Sequence, residues 1–206
     1  MMLKRISLSL VLAILGVSYA QTNAQTTPQT LSGDWESLSC ELRPPAEQPT
    51  YLTRAISFTE IQVAARFTFY ADASCEQALM TWFFSGDYEV LADSAVAQGV
   101  VDANLMINTL RITPHAAGIV DTLNSSEDGD CGKTLWEADT EQDVTETGCS
   151  LFGVTPNQKT TEYELLYTLD DYLFFGTRPL DGSSVDTEDK RPTALQIPLK
   201  RVPSSQ

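Results

Sequence analysis

Apolar residues recur at every second position along most of this chain, and that period confines it to strands that each bury one face. Over 62–70 the apolar set is Val63, Ala65, Phe67 and Phe69, with Arg66 and Thr68 on the other face. Met80, Trp82 and Phe84 continue it over 79–85, and 87–92 sets Tyr88, Val90 and Ala92 against Asp87 and Glu89. Residues 100–113 form a long run that includes Leu105, and its apolar phase shifts between Ile107 and Leu110, which predicts a β-bulge near Asn108. Tyr163, Leu165, Tyr167 and Leu169 lead through Asp170-Asp171 into 172–176, which contains Phe174; this is the pattern of a hairpin. Leu195, Ile197 and Leu199 predict a last strand, with Gln196 and Lys200 facing out. Seven to nine strands follow from this reading.

One helix interrupts the pattern. Thr113-Pro114 reads as an N-cap with proline in the first turn, and Ala116, Ala117, Val120 and Leu123 then recur at three- and four-residue spacing up to Asn124. Many antiparallel strands with a single short helix predict a mainly β fold: a curved antiparallel sheet or open β-barrel with the helix packed on or into it. The polar stretch 179–192 is expected to be a long mobile loop.

The ends of the chain read differently. Lys4 and Arg5, the apolar run 6–17 and Ser18-Tyr19-Ala20 have the layout of a secretory signal, so residues 1–20 are assigned to it. A second acceptable cleavage site follows Ala24. The polar stretch 21–30 is expected to be a disordered leader, 31–202 the single folded domain and 203–206 a tail. Beyond the signal no segment approaches the roughly 18 apolar residues of a membrane span, so no transmembrane segment is expected. An exported product, periplasmic or extracellular, follows. A formal net charge of −15 disfavours nucleic acid and anionic membrane surfaces as partners.

Cys40, Cys75, Cys131 and Cys149 form an even set without C-x-x-C spacing, in a chain with one histidine. Disulfides are therefore expected, and zinc or redox chemistry is not. Three connectivities are open; Cys40–Cys75 with Cys131–Cys149 closes the two shortest non-overlapping loops and is favoured.

Catalytic constellations are missing. There is no G-x-S-x-G, no H-E-x-x-H and no glycine-rich phosphate loop, and any triad would have to rest on His115. Neither catalytic residues, nor a metal, nor a cofactor is expected. The acidic run 127–130 reads as a solvated turn rather than a calcium loop. Arg54 falls on the same strand face as Leu52, Ile56 and Phe58, so it either pairs with a buried carboxylate, of which Glu41 is the nearest in sequence, or sits at a strand end and reaches water.

Several motifs carry a resemblance. Trp35, Ser37, Cys40, Glu41, Arg43 and Pro44 spell W-x-S-x-x-C-E-x-R-P; Leu52-Thr53-Arg54, the Tyr70-Asp72-Cys75 spacing and Gly86-x-Tyr88 follow. Ile112-Thr113-Pro114, Cys131-Gly132, Trp136, Gln142-Asp143-Val144-Thr145, Gly148-Cys149, Thr161-Glu162-Tyr163-Glu164 and Arg178-Pro179 continue in order. The string resembles one copy of the adenomatosis polyposis coli down-regulated domain, from about Leu31 to Leu199. The resemblance implies a curved antiparallel sheet around an apolar pocket, somewhat like bacterial lipoprotein carriers. In animals the family is extracellular and inhibits Wnt signalling by binding lipid-modified Wnt protein; animal members carry two copies and a membrane anchor, whereas one copy and no anchor are expected here, with a bacterial source.

The function expected from residues and resemblance together is a non-enzymatic module that binds a fatty acyl chain, as a hydrophobic small molecule or on an acylated protein. Candidate pocket residues are Phe67, Phe69, Trp82, Phe84, Leu105, Ile107, Tyr163, Leu165, Tyr167 and Phe174. The rivals are an extracytoplasmic enzyme using acidic residues and a structural or adhesive surface domain.

Overall fold

A computed structural model of the chain describes residues 25–43, 50–125, 131–132, 135–152, 154–157, 159–179 and 183–203. The signal segment and the acidic run 127–130 lie outside these residues. The described strands are β1 (Gly33–Ser37), β2 (Glu41–Arg43), β3 (Thr50–Phe58), β4 (Gln62–Tyr70), β5 (Ala78–Asp93), β6 (Val101–Pro114), β7 (Gln142–Asp143), β8 (Thr160–Leu169), β9 (Tyr172–Phe175) and β10 (Leu199–Arg201). Two α-helices accompany them, α1 (Pro28–Leu31) and α2 (Ala117–Ser125).

β1 pairs with β3 on one side and β10 on the other, so β1, β10, β9, β8, β6, β5, β4 and β3 close into an eight-stranded antiparallel barrel. Closure goes beyond the open barrel of the sequence reading. It depends on β1 and β10, strands too short to carry a readable period. β2 lies past β1 along the same edge of β3, and β7 pairs with the far end of β6.

Cross-strand register fixes which residues face inward. From β3 through β6, Ile56, Ala65, Phe84 and Leu110 lie opposite one another, as do Arg54, Phe67, Trp82 and Ile112. The bulge falls where the phase shift placed it: Ser85 pairs with Thr109 and Gly86 with Ile107, which leaves Asn108 as the extra residue. Gly86 is demanded by that kink, because a Cβ there would sit 2.0 Å from the Met106 carbonyl oxygen. The Asp170-Asp171 connection joins β8 to β9, with Asp170 at φ +52°.

Four readings need correction. β6 runs through Thr113 and Pro114, paired with Thr81 and Met80, so these residues end a strand and the helix starts at Ala117; the ladder to β5 outweighs the local capping signal. The last strand is only Leu199–Arg201 and Ile197 is exposed, because β9, its partner, is four residues long. Residues 26–30 are not a loose leader. Thr26 is buried and its hydroxyl donates to Gly99 O at 3.0 Å and accepts from Thr168 N at 3.0 Å, while Thr27 caps α1. The described part of 179–192 is tied down: Val185 is buried, and Arg191 donates to Ala103 O at 2.6 Å and Glu164 O at 2.7 Å.

Both disulfides form as favoured, Cys40–Cys75 and Cys131–Cys149. The core divides in two. One cluster gathers Leu31, Trp35, Ile56, Phe58, Val63, Tyr88, Val101, Leu166, Leu173, Phe175 and Leu199. The other sets Leu110, Ile112, Leu123, Trp136, Val144 and the Cys131–Cys149 pair against Trp82, Phe84, Ile119 and Val120, and so docks α2 on the inner ends of β5 and β6.

Candidate functional site

β4 and β5 are rich in aromatic residues at alternate positions, and their pairing stacks these side chains on one inner wall. Phe67 and Phe84 have ring centroids 5.5 Å apart, Phe69 and Trp82 5.7 Å, and Trp82 and Phe84 5.9 Å. All four remain half-buried, although each lies on the concave side. Leu105 and Ile107 continue the same wall onto β6, Leu105 buried and Ile107 partly so.

The other four pocket candidates are elsewhere. On β8, Glu162, Glu164 and Leu166 pair with Leu105, Ala103 and Val101 and take the inner face, so Tyr163, Leu165 and Tyr167 face out. Phe174 pairs with Tyr167 on that outer face, with ring centroids 5.7 Å apart. Arg191 lies 5.2 Å over the Tyr163 ring, and Leu165 is fully buried. Alternation alone cannot say which face of a strand is concave when both carry apolar groups, and β8 reads Tyr-Leu-Tyr on one face with only one inward leucine beside the acids.

Between the aromatic wall and the packed core runs a seam of charge, buried at Arg54, Glu41 and Glu164 and half-buried at Glu162 and Arg178. Arg54 Nε donates to both Glu41 carboxylate oxygens, at 2.9 and 3.1 Å, and Arg54 Nη2 donates to Ile197 O at 3.0 Å. Ser37 completes the cluster: its hydroxyl donates to Glu41 Oε1 at 2.7 Å and accepts from Arg54 N at 2.7 Å. Across the barrel Arg178 Nη2 meets Glu162 Oε2 at 2.7 Å and Glu164 Oε2 at 2.9 Å. Glu164 Oε1 accepts from Gly176 N at 2.9 Å and Leu165 N at 3.1 Å.

These charges stand where the β-ladder runs out. β1 leaves β3 before β2 joins it, and β10 stops at Leu199, so side chains supply the partners that strands would have given. Burial pushes the Glu164 carboxyl above the ordinary glutamate range, against the pull of Arg178. Arg178 is held above its ordinary value by Glu164 and Glu162, which outweigh its own burial. The Arg54–Glu41 pair is legible from the inward phase of Arg54. The Glu162–Arg178–Glu164 set escapes the sequence reading, and its signal is two acids at i and i+2 in a strand whose other residues are threonine, tyrosine and leucine.

Two polar arrangements bear on catalysis. Thr81 Oγ1, His115 Nε2, His115 Nδ1 and Asp139 Oδ1 form a hydroxyl–imidazole–carboxylate relay with spans of 2.9 and 2.7 Å. The hydroxyl belongs to a secondary alcohol on the convex side of β5, bonded also to Thr68 Oγ1 at 2.9 Å. The strand backbone at Thr81 is committed to the ladders with β4 and β6. Separately, Thr109, Asp143, Thr145 and Glu146 line an open cleft of 370 Å³. Both its carboxylates are exposed, and Asp143 accepts from Thr145 N at 2.9 Å. Among the described residues no group of three or more His, Cys, Asp or Glu side chains is placed to hold a metal, and no helix is long and apolar enough to cross a membrane.

The motif residues Ser37, Glu41 and Arg54 thus meet at one side of the seam, Glu162, Glu164 and Arg178 at the other, and the cysteines form two pairs. Residues 15–206 match the family described as Adenomatosis polyposis coli down-regulated 1, and the chain belongs to that family.

Proposed function

We propose that this chain is an exported, non-enzymatic binding module that shelters a fatty acyl chain, free or carried by a lipidated partner, against Phe67, Phe69, Trp82 and Phe84. The observation that carries the reading is the contrast on a single inner face. The barrel is filled at one end, yet four large aromatic side chains at the other keep part of their surface open. Exposed aromatic surface inside a concavity is costly unless something covers it.

The energetics suffice. Sheltering a hydrocarbon tail contributes about 0.8 kcal/mol per methylene, so a ~14-carbon chain gains on the order of 10 kcal/mol before association costs. No charged anchor is required, and the arginines of the seam are already engaged by carboxylates. Two disulfides fit an oxidising compartment outside the cytoplasm.

Native mass spectrometry of the purified protein after incubation with a lipid extract tests the reading, together with titration of a fluorescent fatty acid. The expected result is a one-to-one adduct and micromolar or tighter binding that weakens at least tenfold in a Phe67→Ala/Phe69→Ala double variant. No adduct and no binding at micromolar concentration would remove the acyl reading.

A further inference from the structure

We infer that α2 is a gate which, in the ligand-free chain, occupies part of the face proposed for the acyl chain; the inference rests on that acyl-binding reading. Ile119 and Val120 of α2 and Trp82 and Phe84, two of the four half-buried aromatics of the inner wall, pack against one buried cluster that contains Leu110, Ile112 and the helix's own Leu123. An aliphatic helix side and a hydrocarbon tail present the same chemistry to those rings, so they compete for them.

The helix is lightly held. Leu123 is its one buried residue, and a Cβ on Gly118 would meet no atom within 4 Å, so the packing around the helix does not require a glycine there. Its root is fixed to the barrel: His115 N and Ala116 N donate to Leu79 O at 2.8 and 3.1 Å, and the His115 ring spans Thr81 and Asp139. Among the described residues, Asn124 ties down its far end. Asn124 Oδ1 accepts from Trp136 N at 2.8 Å and Asn124 Nδ2 donates to Trp136 O at 2.9 Å, while Trp136 itself is buried and donates its indole N–H to Cys131 O. A fixed root, an exposed latch residue and an apolar inner side are the parts of a hinged cover. The acyl chain enters as Asn124 lets go, and α2 swings about residues 115–116.

The test uses the intact protein and a fluorescent probe, dansyl-undecanoic acid. Stopped-flow association is measured for wild type, Asn124→Ala and Asn124→Asp, with hydrogen exchange of 117–125 followed with and without saturating probe. Loss of both latch bonds is expected to raise the association rate about tenfold, and Asn124→Asp, which keeps the acceptor, less. In wild type the amides of α2 should exchange faster when probe is bound. An unchanged association rate in Asn124→Ala, with α2 exchange unchanged or slowed by probe, would overturn the gate and make α2 a fixed wall of a site that still binds. Absence of probe binding in every variant would instead remove the acyl reading and the gate with it, even if Asn124→Ala speeds exchange of α2.

Discussion

At the end of the barrel closed by β1, β9 and β10, Trp35, Leu173 and Leu199 have lost all contact with solvent; at the other end Phe67, Phe69, Trp82 and Phe84, on the same inner face, have not. Strand length explains the difference. The packed end has a complete wall and a floor, since Leu31 of α1 is fully buried beside Trp35, whose indole N–H donates to Leu31 O at 2.8 Å. At the aromatic end β4, β5 and β6 run on past their short counterparts, and the gap is met by a helix and ion pairs instead of strands. One end is packed until its largest side chains have no solvent contact; the other keeps part of its aromatic surface open.

The sharpest way to break this contrast is to attack the packed end and the seam. Trp35→Ala removes a fully buried ring and is expected to cost about 3–5 kcal/mol, read from urea unfolding. Arg54→Ala leaves Glu41 buried without its partner and should cost about 3–5 kcal/mol as well, whereas Arg54→Met with Glu41→Leu should recover most of the loss. A loss below about 1 kcal/mol for Arg54→Ala would mean that the seam does not hold the barrel where its ladder ends.

Much of this architecture is readable because period two survives burial on one face. The bulge at Asn108, the Asp170-Asp171 hairpin and the Arg54–Glu41 pair each leave a local mark in phase or in a misplaced charge. Closure leaves none, since three- and five-residue strands show no period, and the orientation of β8 leaves a misleading one. Tyr163, Leu165 and Tyr167 are apolar residues of β8, yet the inner face takes Glu162 and Glu164, because Arg178 and the N–H groups of Leu165 and Gly176 make carboxylates acceptable there. That compensation comes from residues up to 16 positions away, so no window on β8 contains it. Of the candidate site, the β4 and β5 aromatics are legible as one face; what cannot be read is that α2 packs against the same buried cluster as Trp82 and Phe84.

Glu164 sharpens the comparison through pH. Its carboxyl is held above the ordinary glutamate range in the folded state by burial, so its protonated form favours folding. That contribution is present below the ordinary glutamate range and is lost as pH rises through the raised folded value. Glu164→Gln should therefore flatten this decline: the stability of wild type relative to the variant falls as pH rises upward from the ordinary glutamate range, measured by urea midpoints at each pH. A difference that does not change with pH would mean that Arg178 keeps Glu164 ionised throughout. At the aromatic end, Phe69→Ala is expected to cost about 1 kcal/mol, well short of a full core truncation, because the ring is already partly in solvent.

The smallest expected change has the opposite sign and returns to α2. Gly118 lies inside the helix, its φ is not in the left-handed region, and a methyl group there would enter open space. Gly118→Ala should therefore stabilise the protein by about 0.5–1 kcal/mol, by raising helix propensity and restricting the unfolded chain. If α2 is marginal because of that glycine, the gain appears both in the urea midpoint and as slower hydrogen exchange across 117–125. A gain in the midpoint with no slowing of α2 exchange would place the benefit in the unfolded chain alone, and the light hold on α2 would then have to come from its single buried side chain, Leu123.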